Sequence, residues 1–208
     1  LLLAALRTIS SKILLKIMIL IIIEAILIVG SFGVLAYFQS QQSSLGNSIN
    51  IAGKNRFLTA SVLLQTEKYL YGLSSDISQL KAAMNSLQSN IITLKQGGMI
   101  SGVDLKHLHS NFLDLWNTVD SKWNGYKTFV TDKLLTSYQT STATTTDKSI
   151  TRKAVESMAS NLIESSDKLV TLLGQQTDKN TENLMLLQIL FAILIIGILV
   201  LILYLVAR

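Results

Sequence analysis

The chain has 208 residues, 49% hydrophobic and only 15% charged, with a formal net charge of +5. That length fits one domain of ordinary size, but the apolar excess is high for a soluble one. The absence of cysteine excludes disulfides, thiol nucleophiles and cysteine metal sites, and the dispersed basic residues, without interleaved aromatics, exclude a nucleic-acid surface.

From Ile13 to Phe38 the only charged residues are Lys16 and Glu24, and Gln188 is the only strongly polar side chain from Leu184 to Val206. At about 1.5 Å per residue these runs rise roughly 35 to 39 Å, against a hydrocarbon core of about 30 Å. Both read as transmembrane helices. The first is longer than the roughly 7 to 15 apolar residues of a signal peptide, and no small-residue cleavage pattern follows at Ala36-Tyr37-Phe38-Gln39. It is therefore expected to stay as an anchor. Arg7, Lys12 and Lys16 precede the first run and Arg208 follows the second, which predicts cytoplasmic termini and an extracytoplasmic middle. The expected organisation is a flank and first transmembrane helix over 1–39, a sensor region over 40–183 and a second transmembrane helix over 184–208.

Between the runs acidic and basic residues nearly balance, and the absence of proline leaves very long helices open. Residues 40–72 continue the first helix, and Ser74, Ser75 and Asp76 mark a break and an N-cap. Ile77, Leu80, Met84, Leu87, Ile91 and Leu94 then step by three and four until Gly97-Gly98 stops the second helix. A third helix is expected from Ser101–Asp104, read as a capping box, through Leu105, Leu108, Phe112, Leu115, Val119, Trp123, Tyr126 or Phe129 and Leu134 to Tyr138. The threonine-rich run 139–147 is a connection. A fourth helix from about Ile150 leads into the second apolar run. The pattern predicts an all-α fold, an antiparallel up-down-up-down four-helix bundle continuous with two transmembrane helices.

Chemistry is scarce in this pattern. His107 and His109, two apart, fall on different faces of the expected helix and cannot chelate one metal as an i, i+4 pair does. Trp116 and Trp123 share a stripe that suits a bundle core or, as the alternative, an aromatic ligand cage. No nucleophile elbow, phosphate-binding loop or paired carboxylates appear, so the chain is not expected to be an enzyme, and no cofactor is expected. Glu24 lies deep in the first apolar run. It is either protonated and hydrogen-bonded between helices, in contact with a hydrated cavity, or part of signalling or proton coupling.

The segment Ile49-Asn50-Ile51-Ala52-Gly53-Lys54-Asn55-Arg56-Phe57-Leu58-Thr59 resembles the P-box of nitrate-nitrite sensor histidine kinases and the first sensor helix of type IV pilus methyl-accepting chemotaxis transducers. Asn50, Ala52, Gly53 and Arg56 carry the match. Phe57 stands where methionine is usual, Thr59 where serine is usual, and Ser61 where a second arginine is frequent. Phe112-Leu113-Asp114-Leu115-Trp116-Asn117-Thr118-Val119 and Leu169-Val170-Thr171-Leu172-Leu173-Gly174-Gln175-Gln176 are similar to further segments of the chemotaxis-transducer sensor region. The resemblance implies a homodimeric sensor in the plasma membrane that holds a small anion, such as nitrate, between two copies of the first helix. The implied binding positions are Gly53 and Arg56, with Asn50 a neighbour. It also implies a cytoplasmic kinase or chemotaxis module beyond Arg208, the chain itself being a receptor fragment.

Elementary physics allows the same site. A glycine without Cβ lets two helices approach across a two-fold axis, and Arg56 lies one turn on. Two guanidiniums at one partly desolvated axis repel, and an oxyanion bridging them relieves the repulsion. Against this stands a plainer reading, with Gly53 a packing notch and Arg56 a solvated charge. A second functional class is a membrane-tethered helical module that binds a protein partner without a small ligand.

Overall fold

The computed structural model describes residues 2–74, 76–136 and 145–207, with side chains described for 13–74, 76–133 and 147–207. Among these residues the fold is all-α apart from one short hairpin. Helix α1 spans Leu2–Leu70, α2 Ser78–Gln96, α3 Leu113–Val130 and α4 Thr145–Ala207. With no proline in the chain, nothing removes a donor from the i to i−4 ladder of the two long helices.

Helix α1 stops a few residues before the expected break. Gly72 takes φ +70°, and the Leu73 N–H donates to Lys68 O at 2.8 Å, closing the terminal carbonyls in a left-handed cap. Asp76 then caps α2, as the sequence suggested. Its Oδ1 accepts the Ser78 N–H at 2.7 Å and its Oδ2 the Ser78 hydroxyl at 2.8 Å. These two donors, the backbone one first, hold the Asp76 carboxyl below the usual aspartate range. At the other end of α2, Gly97 has φ +76°, and an added Cβ would sit 2.8 Å from Leu105 O and 2.9 Å from His107 N. Only glycine fits that approach.

The expected third-helix start at Ser101–Asp104 is wrong. Gly98–Ile100 (β1) pairs antiparallel with Val103–Leu105 (β2), so Asp104 faces Met99 across a ladder and caps nothing. Ser101 (φ 51°) and Gly102 (φ 76°) are both left-handed, the sign pattern of a two-residue type I′ hairpin turn. A Ser-Gly pair flanked by Met-Ile and Val-Asp-Leu is itself a hairpin signal, and here it outweighs the helical spacing of Leu105 and Leu108. Both leucines are buried, but from extended backbone. A 3-10 turn at Ser110–Phe112 leads into α3, which gives way to a π-helical stretch at Thr131–Thr136, and the expected end at Tyr138 lies outside the described residues. Most of the threonine-rich connection lies outside the described residues, and α4 is helical from Thr145, earlier than expected.

The chain divides into two compact units. Ser43–Thr177 holds a core to which all four helices contribute: Ile51 and Val62 from α1, Leu87 and Ile91 from α2, Trp123 and Tyr126 from α3, Leu162 and Leu169 from α4. Trp123 Nε1 donates to Gln88 Oε1 and Trp116 Nε1 to Ile91 O, each at 2.7 Å, which sets α3 antiparallel to α2. Ion pairs Arg56–Asp167 and Arg152–Glu67 set α4 antiparallel to α1 within this unit.

Leu1–Gln42 and Asp178–Arg208 form the other unit. Two helices here are long and apolar enough to cross a membrane, and none of either apolar window is buried. Half-covered positions on α1 recur at 13, 17, 20, 24, 27, 31, 34 and 38, and on α4 at 184, 187, 191, 195, 198, 202 and 205. That three-and-four spacing leaves one stripe on each helix partly covered and the rest exposed.

Candidate functional site

Helix α1 places Asn50, Gly53 and Arg56 at three-residue spacing, so they follow one another along one side of the helix. Asn50 is exposed, Gly53 half-buried, and the Arg56 side chain 48% exposed. A Cβ at Gly53 would meet only Arg56 Nη2, at the ordinary contact distance of 3.7 Å. Nothing among the described residues therefore requires glycine there. The same side carries Phe57, 74% exposed, then Ala60, Leu64 and Tyr71, all exposed. Gly46, Asn50, Gly53, Phe57, Ala60 and Leu64 step by four, three, four, three and four, the spacing of a helix seam that has no partner among the described residues.

Arg56 has a partner that local sequence does not reveal. Its Nη1 lies 2.7 Å from Asp167 Oδ1 on α4, through one nitrogen, with the Asp167 side chain 46% exposed. A singly bonded guanidinium keeps donors for a further acceptor. Asp167 also lines an open cavity of about 400 Å³ with Leu115, Glu164, Lys168, Thr171, Leu172 and Gln175. Lys168 lies 2.7 Å from Glu164 and, first by that hydrogen bond and then by its charge, holds the Glu164 carboxyl below its usual range. Arg56, Asp167, Lys168 and Glu164 thus balance in charge.

Behind the ion pair the core is polar. Asn55 is 1% exposed, and Thr59 donates to Asn55 O at 2.7 Å. On α4, Ser165 donates to Asn161 O at 2.9 Å and accepts from Lys122 Nζ at 2.6 Å. Neither Asn55 Oδ1 nor the neighbouring buried Ser166 Oγ has a hydrogen-bond partner among the described residues. Further along α1, Thr66 Oγ1 and Tyr126 Oη are likewise buried, and they approach one another without closing a well-formed hydrogen bond. Burial first, and then the nearby Glu67 carboxylate, push the Tyr126 hydroxyl well above the ordinary tyrosine range, against the opposing effect of Thr66. Sequence periodicity treats such positions as apolar, so Asn55, Thr66 and Ser166 were not expected in the core.

The other singled-out residues take structural places. Trp116 and Trp123 are buried core side chains, with Lys95 Nζ 4.2 Å above the Trp116 ring. His107 and His109 sit on extended backbone after β2, not on a helix, and His107 Nδ1 lies 2.8 Å from Leu108 O. No group of metal-ligating side chains forms among the described residues. Glu24 lies in the half-covered stripe of α1, without an ion-pair partner among the described residues. Of the three positions on α1, Arg56 alone is brought to Asp167, with Gly53 and Asn50 preceding it on the same side of the helix, while the histidines, tryptophans and Glu24 stand apart from them. Comparison with models of protein families, with curated proteins and with solved structures returns no match to this chain.

Proposed function

We propose that this chain is the sensing region of a two-pass transmembrane receptor, with cytoplasmic termini and residues 40–183 extracytoplasmic. In this reading the four helical segments form an up-down-up-down bundle, two copies pair through α1, and a small oxyanion such as nitrate binds between the two Arg56 side chains. The observation that carries the reading is the seam of α1, unpartnered among the described residues, with a glycine at 53 that no contact among them requires and an arginine one turn on. The resemblance of Asn50, Ala52, Gly53 and Arg56 to the sensor-kinase P-box supports the same assignment.

The two apolar runs belong to the helices that carry Arg56 and Asp167. Ligand binding at the seam shifts one helix against the other by about 1 to 2 Å, the scale of interfacial helix movements. An output module in a longer protein reads that shift. The test is calorimetric titration of the full chain in lipid nanodiscs with nitrate, nitrite and sulfate, repeated on Arg56→Ala. Heat that depends on Arg56 supports the receptor, and its absence overturns it. Spin labels on the two apolar runs report whether the ligand moves them.

A second reading draws on the exposed Phe57, Leu64 and Tyr71, at 74%, 49% and 42% exposure. This stripe also suits an amphipathic helix of a different protein, which makes the chain a membrane-tethered interaction module. Its signature is association that is lost in Phe57→Glu and indifferent to every anion.

A further inference from the structure

The anion site proposed above is already filled by a carboxylate from the same chain. Asp167 Oδ1 lies 2.7 Å from Arg56 Nη1, within charge-assisted hydrogen-bond distance. The two residues are 111 positions apart and sit on different helices. Contact therefore requires α1 and α4 to hold one particular offset at this level. Both side chains are about half exposed, at 48% and 46%, so the pair is held weakly and another anion can replace it.

We propose that Asp167 is an internal competitor for the ligand at Arg56, and that ligand binding is an exchange of one anionic partner for another. This rests on the receptor reading of the Arg56 site. With the exchange, Arg56 turns from a partner on α4 to a ligand at the seam, and the ion pair that fixes the α1–α4 offset is released. The carboxylate that weakens binding is thus the one that makes binding felt by the second helix. Its surroundings suit such a release. The Asp167 carboxylate borders an open cavity beside Lys168, and its neighbour Ser166 is buried with an unpartnered hydroxyl. The freed Asp167 carboxylate is then solvated at the mouth of this open cavity, whose exposed Lys168 stays paired with Glu164.

An affinity effect opposite to that of an ordinary binding-site mutation follows. In Asp167→Asn the ligand no longer competes with a full negative charge, so affinity rises by up to about fivefold, the upper end of what a partly exposed ion pair contributes. The same variant transmits less, because the offset is no longer fixed before the ligand arrives. Asp167→Glu keeps the charge and is expected to bind like the parent chain. Neither position is in the core, so folding is not at risk, and circular dichroism checks it.

Chains of all 208 residues in lipid nanodiscs are titrated with sodium nitrate, nitrite and sulfate, with α1–α4 spin-label distances measured alongside. Tighter binding in Asp167→Asn, parent-like binding in Asp167→Glu and a smaller ligand-induced distance change in Asp167→Asn establish the competitor. If the parent binds in an Arg56-dependent way and Asp167→Asn binds no tighter, the competitor is overturned and the receptor stands. Absence of Arg56-dependent binding in both chains overturns the two together.

Discussion

Helices α1 and α4 run through both units of the molecule, and their side chains obey opposite rules in the two. In Ser43–Thr177 the positions at three-and-four spacing are buried, and the remaining sides carry Arg56, Glu67, Arg152, Glu164 and Lys168. In the unit formed by the chain ends the exposed side is apolar, with Leu14, Ile22, Ile26 and Val29 at 61%, 55%, 65% and 71% exposure on α1 alone. The backbone is the same α-helix in both places. What differs is the solvent each surface fits, and a helix with its apolar side outward is stable where that solvent is hydrocarbon.

Substitutions can break this comparison from either side. The largest effect is expected in the core of Ser43–Thr177. Trp123→Ala removes a fully buried indole and strips Gln88 of one of its two donors, the other being Lys127 Nζ at 3.2 Å. A loss of about 3 to 5 kcal/mol is expected, read by chemical denaturation of the purified chain. Next comes the apolar end. Ile196→Arg places a charge in the middle of the second run, at a position 60% exposed, and is expected to oppose membrane insertion by about 3 kcal/mol in a glycosylation-based insertion assay. The matched change on the exposed face of the other unit, Ser160→Arg, is expected to stay within about 0.5 kcal/mol of the parent in stability. If Ile196→Arg proved as harmless as Ser160→Arg, the two surfaces would not face different solvents.

A smaller effect sharpens the comparison inside the core. Tyr126 is fully buried, and its hydroxyl is raised from 10.0 because burial disfavours the phenolate. The folded form therefore holds its proton to higher pH than the unfolded form does. Stability is fully present below pH 10.0 and falls as pH rises toward the folded value. The expected slope from this group is about 1.4 kcal/mol per pH unit. Tyr126→Phe removes it, so denaturation midpoints of parent and variant should diverge only on the alkaline side.

Periodicity made much of the fold legible. Five of the six stripe positions expected on α2 are buried, and Gly97 stops the helix as expected. The hairpin was missed because the helical spacing of Leu105, Leu108 and Phe112 was weighed above Ser101-Gly102, a pair whose left-handed φ values suit a hairpin turn. Of the site, the residues on one helix were legible and the partner was not. Asn50, Gly53 and Arg56 lie within two turns, so spacing alone places them together. Asp167 is brought to Arg56 by the antiparallel offset of two long helices, which no local pattern encodes. The buried Asn55, Thr66 and Ser166 were invisible for another reason, since their residue types read as surface.

The smallest expected effect is also the most discriminating, because it has opposite signs in two measurements. Gly53 stands in the interior of α1, where glycine costs about 1 kcal/mol relative to alanine. An alanine Cβ would meet only Arg56 Nη2, at 3.7 Å, so the backbone gain is not offset by a clash within the chain. Gly53→Ala is therefore expected to stabilise the single chain by about 1 kcal/mol in denaturation of dilute protein. In a pair of chains apposed through this seam, the same methyl appears twice at the point of closest approach, where overpacking costs about 1 to 3 kcal/mol. Sedimentation equilibrium in detergent should accordingly show association weakened by about tenfold. Should the variant gain stability and associate as before, the glycine does not lie at a two-fold axis, and the exposed stripe of Phe57, Leu64 and Tyr71 is left to a different protein.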